Sequence, residues 1–141
     1  MTTLYETQAT AIGGRHGAAA TADGRWRFNL AIPRELGGDG GDGINPEQLF
    51  AIGYAACFLT AIRDVASQDE IAIAADANVT ANVGLGRCED GLRLQVNLMI
   101  DLPGVATDTA LDVIRRAHDI CPYSRATRGN VDVKLDLVGY P

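Results

Sequence analysis

The sequence is poor in the residue types that metal sites and disulfide frameworks need. It has three cysteines and two histidines among 141 residues, and no Cys-x-x-Cys pair. A structural zinc site takes four ligands that usually occur in closely spaced pairs, so the sequence predicts no bound metal. Three cysteines cannot all pair within one chain, which argues against the disulfide scaffold of a small secreted protein.

Basic charge is also scarce, and Lys134 is the single lysine of a chain whose net charge is −6. Such a chain is not expected to bind nucleic acid or an anionic membrane surface. The glycine-rich segment 33–43 lacks the pattern of a phosphate-binding loop, and we interpret it as a flexible access loop. No Gly-x-Ser-x-Gly motif marks a serine nucleophile.

Long hydrophobic runs and a targeting segment are missing as well. The most apolar run, 49–62, is shorter than the roughly 20 residues that span a bilayer. No basic segment followed by an apolar stretch occurs near Met1, so we expect no secretory signal. We therefore expect a cytoplasmic protein, in which cysteines are catalytic or inert more often than disulfide-bonded.

The residues that are present predict one α+β domain spanning 1–141, because 47% of the chain is hydrophobic and its length suffices for a core. Alternation and helical periodicity give the order β-β-β-α-β-β-α-β, with two long helices packed on largely antiparallel sheet. The predicted strands are 4–12, a short one from 18 to about 22, 25–32, 78–85, 92–101 and 131–137.

The first predicted helix begins at Asn45, whose side chain caps it, and Gln48 can complete a capping box. From 49 to 62 almost every residue is apolar, which predicts a helix buried on all sides. One sheet cannot cover such a helix, so the pattern suggests a second surface, such as another subunit. The second helix runs from 107 to about 120. Its predicted buried stripe is Leu111, Ile114, His118 or Ala117, and Cys121.

Each long helix carries a cysteine on its predicted inner face. Cys57 lies in the middle of the first helix, and Cys121 ends the second, next to Pro122. Each could be a small hydrophobic core residue, and burial would raise the pKa of a thiol. A nucleophilic Cys57 therefore needs a cation nearby. If the helices cross at these positions the thiols could form a disulfide, but spacing does not decide this.

Two charged residues could serve such a thiol. Arg15 lies in a turn bounded by glycines, and either points into solvent or carries its guanidinium to a thiolate. Glu47, at the start of the first helix, complements the helix dipole or holds an arginine in place. Glu47 and Cys57 are about 15 Å apart along a straight helix, so either Arg15 bridges them or the helix bends near Gly53. Cys88 lies in a polar turn beside two acidic residues and receives no predicted role.

Four motifs resemble those of organic hydroperoxide resistance proteins, a branch of the wider family of osmotically inducible stress proteins (OsmC/Ohr). The resemblance covers nearly the whole chain, from about Tyr5 to Val133. The motifs are Gly13-Gly14-Arg15-His16-Gly17, Asn45-Pro46-Glu47-Gln48-Leu49-Phe50, Ala55-Ala56-Cys57-Phe58 and Cys121-Pro122-Tyr123-Ser124-Arg125-Ala126-Thr127-Arg128-Gly129-Asn130.

The resemblance implies a thiol peroxidase that reduces organic and lipid hydroperoxides. Cys57 matches the peroxidatic cysteine and Cys121 the resolving cysteine, while Arg15 matches the arginine that stabilises the thiolate and Glu47 the carboxylate that orients it. The resemblance also implies an intertwined homodimer with its active sites at the subunit interface. Dihydrolipoyl groups of lipoylated proteins would be the reductant, and neither metal nor flavin would be needed.

Apolar side chains near these positions are expected to line the substrate site, namely Leu36, Phe50, Tyr54 and Phe58. His16 stands where the family usually has an acidic residue, and Arg125 where it often has asparagine. Two alternatives remain: another branch of the same family with a different substrate preference, or a dimer that binds a hydrophobic ligand or senses redox state without turnover.

Overall fold

The computed structural model describes Met1 to Gly139, which divide into two compact units. The N-terminal unit is Met1–Leu49, and the C-terminal unit begins at Phe50. The prediction of a single domain over 1–141 stays a prediction.

The N-terminal unit contains three short strands in an antiparallel sheet, ordered β1-β2-β3. The strands are β1 (Ala9–Ile12), β2 (Ala18–Thr21) and β3 (Arg27–Asn29). They are shorter than predicted, because the ladder pairing leaves out residues 4–8 before β1, residue 22 after β2, and residues 25–26 and 30–32 around β3. Two 3₁₀ turns, Gly14–His16 and Arg34–Leu36, follow β1 and β3.

The long helix α1 (Pro46–Gln68) starts where the sequence predicts. The Asn45 backbone N–H donates to Gln48 Oε1 at 2.9 Å, and the Gln48 N–H donates to Asn45 Oδ1 at 2.8 Å. This reciprocal pair is the predicted capping box, which satisfies backbone donors that lack a partner in the helix. Within the single chain α1 is not covered on all sides, since Ile52 is 61% exposed, so its burial against a second surface stays a prediction.

α1 is also long enough to cross a membrane, with 23 residues and a mean hydropathy of 1.5 over its most apolar stretch. The apolar run seen in the sequence ended at Ile62, and the helix continues six residues beyond it. Helices that form the core of a globular protein share these properties, and six residues of α1 are buried. They are Tyr54, Phe58, Ala61, Ile62, Val65 and Ala66. We therefore interpret α1 as a core helix.

The C-terminal unit contains a second sheet, ordered β4-β5-β6. β4 (Asn78–Cys88) and β5 (Gly91–Asp101) form a long antiparallel hairpin, and β6 (Asp132–Leu137) pairs parallel to β5. The hairpin turn has two residues, 89 and 90, instead of the predicted six, because pairing continues to Cys88 opposite Gly91. The predicted order of the strands and the two long helices is confirmed.

Two helices connect β5 to β6: α2 (Thr107–Ile120) and α3 (Pro122–Thr127). The sequence pattern does not predict α3, because a proline at position 122 indicates the end of a helix. Proline is equally suited to the first turn of a helix, where the backbone N–H needs no partner. The predicted stripe of α2 is partly wrong: Leu111 is 50% exposed, while the smaller Ala110, Val113 and Ala117 are buried.

Candidate active site

Cys57 and Cys121 lie together in the C-terminal unit. The Sγ atoms of Cys121 and Cys57 lie 3.6 Å apart in a thiol–thiol hydrogen bond in which either can donate, and both thiols are free. Cys121 is completely buried, whereas Cys57 is partly exposed. A disulfide needs a sulfur–sulfur distance of about 2.05 Å, so a small approach of the two sulfurs would close the bond.

The position of Cys121 is set by the corner between α2 and α3. Its backbone is extended (φ −59°, ψ 124°), and it separates the two helices. The Cys121 N–H donates to the Ala117 carbonyl at 2.8 Å, and the Arg125 N–H donates to the Cys121 carbonyl at 3.0 Å. One residue thus ends one helix and starts the next, which fixes its backbone, and complete burial restricts its side chain.

The surroundings of Cys57 both raise and lower the pKa of its thiol. Burial is the larger one and raises its pKa, because a thiolate loses hydration in apolar surroundings. The backbone N–H of Tyr123, in the first turn of α3, interacts with the sulfur and lowers the pKa, while Cys121 raises it further. The net direction is upward, so the residues around Cys57 in the C-terminal unit do not by themselves favour a thiolate at neutral pH.

A hydrogen-bond network that the sequence analysis missed lies beside the two thiols. The Tyr54 hydroxyl is 2.9 Å from Ser124 Oγ and 3.3 Å from Thr127 Oγ1, and His118 Nδ1 is 2.9 Å from Ser124 Oγ. Tyr54 and Ser124 are completely buried. The available signal was a tyrosine on the core face of α1, since a buried phenol needs a polar partner.

Arg15 and Glu47 form an ion pair in the N-terminal unit. Arg15 Nη1 donates to Glu47 Oε2 at 2.8 Å, and Nη2 donates to Oε1 at 2.6 Å. This bidentate geometry fixes the plane of the guanidinium. The hydrogen bonds from Arg15 lower the pKa of Glu47, while burial of the carboxyl opposes them, and the bonds raise the pKa of Arg15. Both side chains are therefore charged at neutral pH.

Arg15 lies at the tip of the β1–β2 hairpin, in a turn that needs glycines. Gly13 and Gly14 have φ values of +78° and +59°, which side chains with a Cβ rarely adopt. A Cβ on Gly17 would lie 1.6 Å from the carbonyl oxygen of Ile12. The glycines around Arg15 are therefore required by the backbone, and they hold the arginine at the end of a tight hairpin.

The four residues expected to line a substrate site differ in burial and lie in both units. Tyr54 and Phe58 are completely buried in the core of the C-terminal unit, and their expected place in the wall of a substrate site stays a prediction. They point inward because they share one face of α1. Phe50 is partly buried and packs against Tyr54, with ring centroids 5.9 Å apart. Leu36, in the N-terminal unit, is 40% exposed.

The remaining cysteine and the metal-binding residue types form no site among residues 1–139. Cys88 is exposed at the end of β4. No group of three or more His, Cys, Asp or Glu side chains in this part of the chain could hold a metal ion.

Comparison with known proteins places these features in a family. The model of the family described as OsmC-like protein matches residues 38–136. An organic hydroperoxide resistance protein of Xanthomonas axonopodis pv. citri is 48% identical over 134 residues, which cover 95% of this chain and 94% of that protein.

Solved structures agree with the sequence comparison. An organic hydroperoxide resistance protein from Legionella pneumophila superposes with a TM-score of 0.91 at 49% identity, covering 96% of this chain and 98% of that one. One from Vibrio cholerae, solved with captopril in one of its active sites, has a TM-score of 0.91 at 44% identity and covers 99% and 96%. Together with the α+β architecture, these similarities show that the chain belongs to the OsmC-like family, in the branch of the organic hydroperoxide resistance proteins.

Proposed function

We propose that this protein is a thiol peroxidase that reduces organic hydroperoxides to alcohols, with Cys57 as the nucleophile and Cys121 as the resolving thiol. The observation that carries the proposal is the 3.6 Å separation of two free thiols, one partly exposed and one buried. The 48% identity to an organic hydroperoxide resistance protein supports the choice of substrate class.

In the first step the Cys57 thiolate attacks the distal oxygen of the hydroperoxide. The O–O bond breaks, the proximal oxygen leaves as an alkoxide that takes up a proton to become the alcohol, and Cys57 becomes a sulfenic acid. The sulfur is oxidised by two electrons and the peroxide is reduced by two.

In the second step Cys121 condenses with the sulfenic acid. The S–S bond forms as the S–O bond breaks, and the hydroxyl group leaves as water with the proton of the Cys121 thiol. A resolving thiol already 3.6 Å away favours this reaction over a second attack by peroxide, which would give an irreversible sulfinic acid.

The first step needs a thiolate, and burial raises the pKa of Cys57. We propose that Arg15 supplies the missing positive charge and that Glu47 orients its guanidinium. The bidentate ion pair, with both groups charged at neutral pH, supports this assignment. A guanidinium stabilises a thiolate and also attracts electron density from a peroxide oxygen.

An external dithiol would complete the cycle by reducing the disulfide. Cys57 is partly exposed and Cys121 is completely buried, so the attack would fall on the Cys57 sulfur and release the Cys121 thiol. We propose dihydrolipoyl groups of lipoylated proteins as the dithiol, cytoplasmic action and no bound cofactor, in keeping with the family resemblance.

We also propose a homodimer. Large apolar side chains are exposed on both units, including Ile12 at 76%, Trp26 at 64% and Ile52 at 61%. A second copy that covered them would remove apolar surface from water, and β1 and β3 are edges of a small sheet that an intertwined partner could protect.

The test is consumption of tert-butyl and fatty-acid hydroperoxides with dihydrolipoamide as reductant. Wild type and Cys88→Ser, the matched control with an exposed cysteine, should turn over rapidly. Cys57→Ser should lose activity, and Cys121→Ser should react once and accumulate sulfenic and sulfinic acid. Equal activity in Cys57→Ser would refute the assignment, and a single stoichiometric oxidation without turnover in wild type would favour a redox sensor.

A further inference from the structure

Tyr54, Ser124 and His118 form a hydrogen-bonded network, and each of them lies three residues from one of the two cysteines in the sequence. Tyr54 precedes Cys57 by three residues on α1, His118 precedes Cys121 by three on α2, and Ser124 follows Cys121 by three on α3. The 2.9 Å bond between His118 and Ser124 therefore spans the α2–α3 corner, and the 2.9 Å bond between Tyr54 and Ser124 ties that corner to α1.

The contacts allow only one direction of hydrogen bonding if all are made. The Thr127 hydroxyl donates to the backbone carbonyls of Tyr123 and Ser124, at 3.0 and 3.1 Å, so it can only accept from Tyr54. Since the single phenolic proton of Tyr54 is then used, Ser124 must donate to Tyr54. The Ser124 proton is then used in turn, so the Nδ1–H of His118 must donate to Ser124.

The network also holds the backbone next to Cys121. The ring of Tyr54 is 5.7 Å from that of Tyr123, whose backbone N–H interacts with the Cys57 sulfur. Tyr123 packs so closely on α1 that a Cβ on Gly53 would lie 2.9 Å from its hydroxyl oxygen. The first turn of α3 is thus held on α1 by ring packing and by hydrogen bonds together.

We propose that His118, through an Nδ1–H donated to Ser124, is a positioning residue that holds Cys121 in bonding reach of Cys57. This inference rests on the proposed function for its role in the peroxidase cycle. The bond it favours is the disulfide formed when the Cys57 sulfenic acid loses its hydroxyl group as water and the Cys121 thiol loses its proton. Neither His118 nor Ser124 touches the hydroperoxide in this scheme.

Two substitutions of His118 separate this role from a general structural one. The Asn side chain places an N–H donor near the position of Nδ1, whereas the Gln side chain places its amide near Nε2 and leaves Ser124 without a donor. Gln is the better helix former, so an effect on α2 stability alone would favour Gln over Asn. The positioning role predicts the reverse order.

The experiment measures the equilibrium of the Cys57–Cys121 disulfide against reduced and oxidised dithiothreitol. We expect the equilibrium constant for disulfide formation to fall about tenfold in His118→Gln and Ser124→Ala, because a Cys121 that is no longer held beside Cys57 in the reduced chain must lose more conformational freedom when the bond forms. It should stay within about twofold of wild type in His118→Asn, which keeps a donor for Ser124. Thr60→Ala, which removes an exposed hydroxyl of α1, is the matched control and should equal wild type.

A second readout is the hydroperoxide concentration that converts half of Cys57 to sulfinic acid, measured by intact mass. This concentration should fall about tenfold in His118→Gln and Ser124→Ala, because a sulfenic acid that Cys121 traps more slowly has more time to react with a second peroxide. Equal values for His118→Asn and His118→Gln would overturn the proposal, and this pair decides the outcome if Ser124→Ala does not fold. If wild type fails to turn over hydroperoxide while the dithiothreitol equilibrium still separates Asn from Gln, the positioning role stands and the peroxidase assignment fails.

Discussion

The two units hold their candidate pairs of site residues by different means. In the N-terminal unit, charge-assisted hydrogen bonds join Arg15, at the tip of the β1–β2 hairpin, to Glu47, in the first turn of α1. Among residues 1–49 of this unit, Leu30 is the one buried hydrophobic side chain. The C-terminal unit holds Cys57 and Cys121 in a continuous core of helix and sheet residues. A charge needs an oriented partner and access to solvent, whereas two thiols need a fixed separation, which dense packing provides.

This difference implies that the two units respond differently to mutation. Changes in the C-terminal unit should alter stability first, and changes in the N-terminal unit should alter reactivity first. The following predictions test that contrast, starting with the largest effect.

Removing an aromatic ring should show most clearly how the two units differ in their contribution to stability. Phe58 is completely buried in the C-terminal unit, and Phe58→Ala should lower the free energy of unfolding by about 3–5 kcal/mol through lost contacts and a residual cavity. Phe28→Ala is the matched change on the partly buried face of β3, and its loss should be about half or less. Urea unfolding followed by circular dichroism measures the loss in both variants. Equal losses would contradict the prediction that the C-terminal unit contributes more to stability.

Removing the guanidinium should leave stability almost unchanged and slow the reaction with peroxide. The proposed role of Arg15 is to stabilise the Cys57 thiolate, so on this proposal Arg15→Ala should lose about 10- to 1000-fold in the second-order rate constant at pH 7. Thiolate forms as pH rises, so the deficit should shrink above pH 9.

Stopped-flow rates from pH 6 to pH 10 test this prediction, with Arg34→Ala, which removes an exposed arginine, as the control. A deficit independent of pH would show that Arg15 acts on the peroxide and not on the thiol. An unchanged rate at pH 7 would remove Arg15 from the mechanism.

The smallest expected effect is the pH dependence of stability that His118 contributes. Burial lowers the pKa of His118 below its ordinary value, and the positive charge of Arg128 acts in the same direction. The unfolded chain therefore binds a proton more readily than the folded chain between the two pKa values. The stability that the neutral His118 contributes to the folded chain is fully present above the ordinary histidine pKa of about 6.5 and is lost as pH falls below that value.

Thermal unfolding of wild type and His118→Asn between pH 5 and pH 8 measures this contribution. The wild-type melting temperature should fall more steeply on acidification than that of His118→Asn, which has no imidazole. Parallel curves would show that the imidazole titrates alike in the folded and unfolded chain.

Local signals in the sequence predicted much of the fold. The Asn45 and Gln48 capping box marks the start of α1, and alternation marks the β4–β5 hairpin, since both depend on residues close in sequence. The sequence could not show that α3 exists, because Pro122 is compatible with the end of one helix and with the start of another. Nor could it place Leu111 outside the core, because close packing of α2 selects small residues that hydrophobicity alone ranks below leucine.

The candidate site depended on information that local patterns do not contain. The 3.6 Å thiol separation is set by how α1 meets the α2–α3 corner, and the two cysteines are 64 residues apart. The Arg15–Glu47 ion pair joins residues 32 positions apart, and family resemblance implied it where periodicity did not. The Tyr54–Ser124–His118 network had no sequence motif of its own.

The complete burial of Cys121 makes this thiol a reporter of transient opening. An alkylating reagent can reach Cys57 and Cys88 in the folded chain, whereas it can react with Cys121 only when the surrounding structure opens. In the limit of fast reclosing, the alkylation rate equals the intrinsic rate multiplied by the opening equilibrium constant, as in amide hydrogen exchange. One thiol can thus report the local free energy of opening at the place where the disulfide forms.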